Sequence, residues 1–377
     1  MRGHVRKRGN KWCFVIDVGR DEQGKRKQKW FSGFATKKEA ERALAAKLQE
    51  LNNGLLSTSD MTVGKLLEDW LLDKQFHVKP TTFELYSRIV TIHIAPMIGH
   101  LTLSDLRPDH IQNMYRMLQQ KTPPLQAKTI RTIHSILRNA LKRALKWGLI
   151  PRDPSEAVEL PRSPRRTLAI WTPEQIRTFL AVNQDIDSRY YTIFVLAIYT
   201  GMRKGEILAL RWSDIDFERD IIQVTRTFSW VDGEAMFLEA KTHHSNRSIA
   251  ISHDVKVQLL RHREFQEQEK RLYADSYHDG NLVVARPDGE PIRLSSLQKQ
   301  WRHAVKRAGL PEIRFHDLRH THASLLLLQG VHPKIVSERL GHSNISITMD
   351  TYSHVLPSLH REVAEDFARL ISNKNIS

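Results

Sequence analysis

The sequence predicts an α+β multidomain protein: a small three-stranded sheet with one helix, a helical bundle, and a mainly helical domain carrying a small antiparallel sheet. Three observations predict it. At 377 residues the chain exceeds the usual size of one domain. Apolar residues alternate near the start, then recur at helical spacing over residues 60 to 155. A Pro-rich basic stretch, IPRDPSEAVELPRSPRRTL, then separates that helical segment from a longer mixed one.

The run KWCFVIDVGR reads as a strand, DEQGK supplies turn residues, and RKQKWFSGF reads as a second strand. Thr36 caps a helix whose Ala40, Leu44, Leu48 and Leu51 share one face and whose end is marked by Gly54. Residues 1 to 55 hold fourteen basic and six acidic side chains, a net +8, half of the +16 carried by the whole chain. Such concentrated charge favours a polyanion, and a basic sheet backed by a helix can lay strands in a major groove. Arg6, Lys7, Arg8, Lys25, Arg26, Lys27 and Lys29 are the candidate contacts, with a merely solvated surface as the alternative.

Between 60 and 155, MTVGKLLEDWLLDK, KPTTFELYSRIVTIHIAPMIG, SDLRPDHIQNMYRMLQQ and LQAKTIRTIHSILRNALKRALKWGLI predict four helices. Pro80 suits the start of the second and Gly99 its stop. In the last helix Lys128, Arg131, Arg138, Lys142, Arg143 and Lys146 surround an apolar face of Ile130, Ile133, Ile136, Leu137, Leu141 and Leu145. Of these, Lys128, Arg131 and Arg138 are candidate phosphate contacts, although a basic helix face can serve solubility alone. Domain boundaries follow at 1–57, 58–155, a linker 156–170, and 171–377.

Beyond the linker Thr172 and Pro173 open a helix, YYTIFVLAIYTG is apolar throughout, and DIIQVTRTFSW, MFLEAKTH and RSIAIS alternate as strands. The remainder is mainly helical. No stretch of about 18 apolar residues is present and the start has no apolar signal core, which points to a cytosolic protein. Cys13, the single cysteine, excludes an internal disulfide and a multi-thiolate zinc site.

Within the third segment, TGMRKGEILALRWSDID puts Arg203 at a helix start with Glu206 three residues on, able to orient it. RFHDLRHTHASLLLLQG sets His316 and Arg319 on one side of a helix start. ERLGHSNISITMDTYSHV gives His342 and, ten residues later, Tyr352. Taken singly each is unremarkable: Arg203 could be a surface arginine, and Tyr352 a half-buried tyrosine.

Together the boxes TGMRKGE, HDLRHTHAS, LGHS and TYSHV, in this order, resemble those of tyrosine recombinases and phage-type integrases, over about residues 165 to 377. The bundle and the basic sheet resemble that family's core-binding (SAM-like) and arm-binding domains more loosely. The resemblance implies Arg203 and Arg319 as an arginine pair, His316 and His342 as the histidines, Tyr352 as nucleophile and Lys241, in LEAKTHHSNRSIAI, as a lysine on a β-hairpin. The chemistry asks for such residues. Attack on a phosphodiester builds charge that guanidiniums hold bidentately, a phenol must lose its proton, and the leaving 5′ oxygen must gain one. Lys241 is the expected acid, His316 the expected partner of the Tyr352 proton, and His342 a hydrogen-bond donor to the phosphate, the last two roles being exchangeable.

The implied activity is integration and excision of a mobile element through a 3′-phosphotyrosine, with no cofactor and no metal. Implied partners are double-stranded DNA of core and arm types, a homotetramer on DNA, a directionality factor and a DNA-bending host protein in bacterial cytoplasm. A type IB topoisomerase and a DNA-binding regulator without catalysis are the alternatives. His320 with His322, or His243 with His244, raises a metal-dependent relaxase, but helical spacing makes the first pair diverge. A terminal stripe of Val363, Phe367 and Leu370 closes the chain's own core or docks on a neighbouring protomer.

Overall fold

The structure is a computed structural model and describes residues 3–20, 26–52, 61–162, 169–239, 246–352 and 367–368. The chain divides into two compact units, residues 1–165 and 166–377.

In the first unit β1 (Gly3–Arg8), β2 (Lys11–Arg20) and β3 (Arg26–Phe34) form an antiparallel sheet in that order. Gly9, at φ +63, makes the tight turn that lets Arg8 face Lys11. The centre of β2 buries Cys13, Phe14, Val15 and Ile16 in succession, and Phe14 stacks on Phe31 and Phe34. The helix α1 (Lys37–Asn52) starts on a Thr36 cap supported by Glu39. Glu39 N–H donates to Thr36 Oγ1 at 3.2 Å and Ala35 N–H to the Glu39 carboxylate at 3.0 Å.

The bundle contains α2 (Val63–His77), α3 (Pro80–Ile89), α4 (Ala95–Ile98), α5 (Pro108–Gln120) and α6 (Ala127–Lys146). The single helix expected over 79–99 is interrupted by a π-helical turn, Val90–Ile94, just before Pro96, whose ring nitrogen has no hydrogen to donate. Gly99 ends it, and Gly64 N–H donates to Gly99 O at 2.9 Å. A Cβ on Gly64 would lie 3.0 Å from that oxygen, so a larger residue would push the two segments apart by a few tenths of an ångström. Trp70, Ile94, Ile111, Tyr115, Ile130 and Leu137 fill the core. The start of the expected linker stays on the bundle. Glu159 exchanges two hydrogen bonds with Gln112, and Val158 and Leu160 pack on the core.

The second unit opens with α7 (Pro173–Val182), capped by a Thr172–Gln175 box, and α8 (Ser188–Thr200), whose Ile193 to Ile198 are all buried. Next come α9 (Lys204–Leu208), β4 (Ile215–Asp216), β5 (Ile221–Val224), β6 (Arg226–Val231), β7 (Glu234–Glu239) and β8 (Arg247–Ala250). These strands make two antiparallel sheets instead of the one expected: β4-β5-β8, with Ile222 opposite Ile249, and the β6-β7 hairpin. The turn Asp232-Gly233, both at positive φ, closes the hairpin on itself, leaving β5 to pair with β8. Next come α10 (His253–Tyr273), α11 (Leu294–Arg307), α12 (Asp317–Leu328), α13 (Pro333–Leu340) and α14 (Ile345–Tyr352). Trp171, Phe179, Phe194 and Trp301 meet ring to ring in its core. Of the expected terminal stripe, Val363 and Leu370 fall outside the described residues, and Phe367 is exposed.

Candidate active site

Gly201, at φ +65, ends α8, and two residues later Arg203 caps α9. The turn is short because Glu206 reaches back: Arg203 N–H donates to Glu206 Oε2 at 2.8 Å and Arg203 Nη1 to Oε1 at 2.7 Å. Glu206 thus contacts both the backbone and the guanidinium of the arginine it was expected to orient. A second guanidinium that sequence reading missed shares this carboxylate, Arg247 donating through Nη1 at 3.1 Å and Nη2 at 2.8 Å. Burial opposes ionisation of Glu206, yet the Arg247 hydrogen bonds and the charges of both arginines hold its carboxyl down at about 2.

Three successive carbonyls at the end of α13 hold three arginines. Arg247 Nε donates to Arg339 O at 2.7 Å, Arg319 Nη2 to Leu340 O at 2.6 Å, and Arg203 Nη2 to Gly341 O at 3.1 Å. A helix leaves its last carbonyls unpaired at the negative end of its dipole, so this is where cations gain most. Arg319 is 3% exposed and also donates Nη1 to Gly201 O at 2.8 Å. Its burial, and then the positive charge of Arg203, lower its pKa to about 9. Three guanidiniums thus gather at one helix end while two of them share a single carboxylate, a local excess of positive charge suited to an anion.

His316 caps α12, and desolvation with the nearby His320 and Arg319 brings it to about 4. His342 follows Gly341, the left-handed cap of α13, and its Nδ1 is 2.8 Å from Thr348 Oγ1. Desolvation, then Arg319 and Arg203, lower it to about 4 as well. Both imidazoles are neutral at pH 7.

Tyr352 ends α14, is 1% exposed, and packs among Ala323, Leu327, Val336 and Leu340. Burial pushes its phenol up to about 12, only partly offset by Arg319. Its hydroxyl is hydrogen-bonded to His320 Nδ1 at 2.9 Å. His316 was expected there. Tyr352 instead meets α12 one turn deeper, where His320 lies on the same face as His316, the two rings edge to face at 5.2 Å. The other half of the suspected metal pair, His322, points away: its Nδ1 lies 3.0 Å from Ile198 O and its Nε2 accepts from Arg339 Nε at 3.1 Å. Lys241, His243 and His244 lie outside the described residues, between β7 and β8.

Among the expected nucleic-acid contacts, Arg6, Lys7 and Arg8 are exposed on β1 and Lys29 is half-buried on β3. Arg26 and Lys27 open β3, while Lys25 lies outside the described residues. On α6, Lys128 and Arg131 are exposed, and Arg131 Nε donates to Pro161 O at 3.0 Å. Arg138 is engaged by Glu156 at 2.8 Å. Beside His316 a groove of about 660 Å³ is lined by Lys204, Gln298, Trp301, Arg302, Arg314 and Phe315.

Residues 170–358 match the phage integrase family, residues 62–119 the phage integrase N-terminal SAM-like domain, and residues 4–51 an Arm DNA-binding domain. A tyrosine recombinase XerC-like protein of Caldanaerobacter subterraneus subsp. tengcongensis is 32% identical, over 93% of this chain and 94% of its own. Among solved structures, the Tn1549 transposon integrase in complex with a circular intermediate DNA superposes with a TM-score of 0.69 at 22% identity, covering 81% of this chain and 99% of that one. A lambda integrase tetramer bound to a Holliday junction gives 0.56 at 19%, covering 90% and 95%. A tyrosine nucleophile candidate set against clustered arginines defines a tyrosine-type, DNA strand-exchanging enzyme, as expected from the sequence. The chain belongs to the phage integrase family and is a tyrosine-type site-specific recombinase.

Proposed function

We propose that the protein integrates and excises a mobile element by attack of Tyr352 on a DNA phosphodiester, forming a 3′-phosphotyrosine that a free 5′ hydroxyl from another strand later displaces. The observation that carries this reading is the meeting of Arg203, Arg247 and Arg319 at the end of α13, with Glu206 the counter-ion of Arg203 and Arg247. A phosphodiester gains negative charge as its phosphorus becomes five-coordinate, so fixed guanidiniums bind that state better than the ground state. Arg203 and Arg319 are the phosphate-binding pair, and Arg247 holds Glu206. Lys241 protonates the leaving 5′ oxygen, and His316 and His342 donate hydrogen bonds to the phosphate oxygens. The phosphotyrosine conserves the bond energy, so the cycle asks for neither ATP nor a metal.

The bundle takes core-type DNA through Lys128 and Arg131, and the N-terminal sheet takes arm-type DNA through Arg6, Lys7 and Arg8. Arg138, tied to Glu156, is the weaker candidate. The transposon integrase with circular DNA and the lambda integrase tetramer on a junction support a mobile-element substrate and a homotetramer assembled on DNA. A directionality factor and a DNA-bending host protein complete the assembly in bacterial cytoplasm.

The test is a nicked duplex spanning the junction between the element and its chromosomal target, on which cleavage releases a short strand and traps the covalent state. Wild type forms a denaturation-resistant adduct. Tyr352→Phe binds the same duplex and forms none; an adduct in that variant removes Tyr352 from its role.

A further inference from the structure

The three histidines of the site stand in different relations to the nucleophile. His342 turns its Nδ1 to Thr348, and the His316 ring stands perpendicular to that of His320. His320 Nδ1 lies 2.9 Å from the Tyr352 hydroxyl, within the range in which a base takes a proton directly. We propose that His320 is the general base of the cleavage step, receiving the Tyr352 proton as the phenol oxygen attacks phosphorus. The proposal rests on Tyr352 being the nucleophile and deepens that reading.

Its surroundings fit the task. His320 follows Arg319 directly on α12, so one helical turn fixes both an anion-binding cation and the base. Burial lowers the imidazole's affinity for a proton, as do Arg314 and Arg319, while Asp317 opposes them. His316 and His342, the other titratable groups around it, are themselves held neutral. His320 is therefore neutral at pH 7, and with its own proton on Nε2 its Nδ1 accepts from the phenol O–H. Tyr352 needs such an acceptor, because a buried phenol yields little free phenolate near neutrality.

The step balances. The O–H electron pair becomes the new O–P bond as the proton passes to Nδ1. The bond from phosphorus to the 5′ oxygen breaks, and that oxygen takes a proton from the acid assigned above to Lys241. On rejoining, the 5′ hydroxyl attacks as its proton returns to that same acid, the bond from phosphorus to the tyrosine oxygen breaks, and His320 returns its proton to that oxygen.

Two substitutions test this on the nicked duplex, with adduct formation and DNA affinity measured separately. His320→Asn keeps a polar atom near Nδ1 without basicity, and His320→Ala leaves space for a free imidazole. Both variants bind DNA as wild type does and form adduct at least ~100-fold more slowly. Added imidazole restores His320→Ala and leaves wild type unchanged, a response that a purely structural histidine would not give. A duplex with sulfur at the bridging 5′ position, whose thiolate leaves unprotonated, rescues Lys241→Ala but not His320→Ala. Cleavage by His320→Asn within about threefold of wild type, or faster, overturns the proposal, as does a DNA-bound His320→Ala indifferent to imidazole. Adduct formation by Tyr352→Phe would overturn the nucleophile assignment instead, so the two failures are distinguishable.

Discussion

Glu206 is the residue on which the cation cluster depends. It is 6% exposed and accepts from the backbone and guanidinium of Arg203 and from two nitrogens of Arg247. Its folded pKa of about 2 lies below the ordinary 4.5, so its contribution is whole above pH 4.5 and lost as the pH falls towards 2. Glu206→Gln removes that contribution at all pH and leaves two arginines facing each other. The expected loss at pH 7 is about 3 kcal/mol, read by denaturant unfolding; a change below about 1 kcal/mol would refute it. Glu206 and Arg203 were legible in the sequence because they are three residues apart on one helix start. Arg247 and His320 were not, since their partners lie 41 and 32 residues away and only the folded chain brings them together.

At the scale of elements, the end of α13 is the point where separate parts of the chain meet. Gly341 has φ +67, and a Cβ there would lie 2.9 Å from Arg247 Nη1. Gly341→Ala is expected to cost about 1–2 kcal/mol of stability from its left-handed backbone. Cleavage should suffer more, roughly 10-fold or beyond, because displacing a charge clamp by a fraction of an ångström misplaces the phosphate. Single-turnover adduct formation at saturating DNA would measure it, and an unchanged rate would mean that Gly341 does not set the clamp. Helix starts were readable from local chemistry, as at Thr36 with Glu39 and Thr172 with Gln175. The π turn at Val90–Ile94 and the split of the expected sheet into two were not, because periodicity records which residues are apolar and not which strand a neighbour pairs with.

For the whole molecule, each compact unit carries its own apolar core, one around Trp70 and Tyr115, the other around Trp171 and Trp301. The second holds several histidines that folding keeps neutral: His262, His316, His322 and His342 all lie at about 4 against 6.5 in the open chain. A lowered histidine value means that the unfolded chain binds the proton more readily. Stability is then whole above pH 6.5 and falls as the pH drops towards 4. His262 alone, 1% exposed and bonded to Val283 O, should account for about 2 kcal/mol of that loss by pH 5. Thermal unfolding followed from pH 7.5 to 5 should show the decline, and a flat profile would contradict it. The basic surface at the N-terminus could be read from a segment of sequence, since each of its charges acts where it stands. The arginine cluster at the end of α13 is of another kind. It draws on Arg203, Arg247 and Arg319 at one helix end near residue 340, so no single element contains it. A basic arm keeps its charge wherever it is spliced; a set of cations gathered around one helix end exists only in the completed fold.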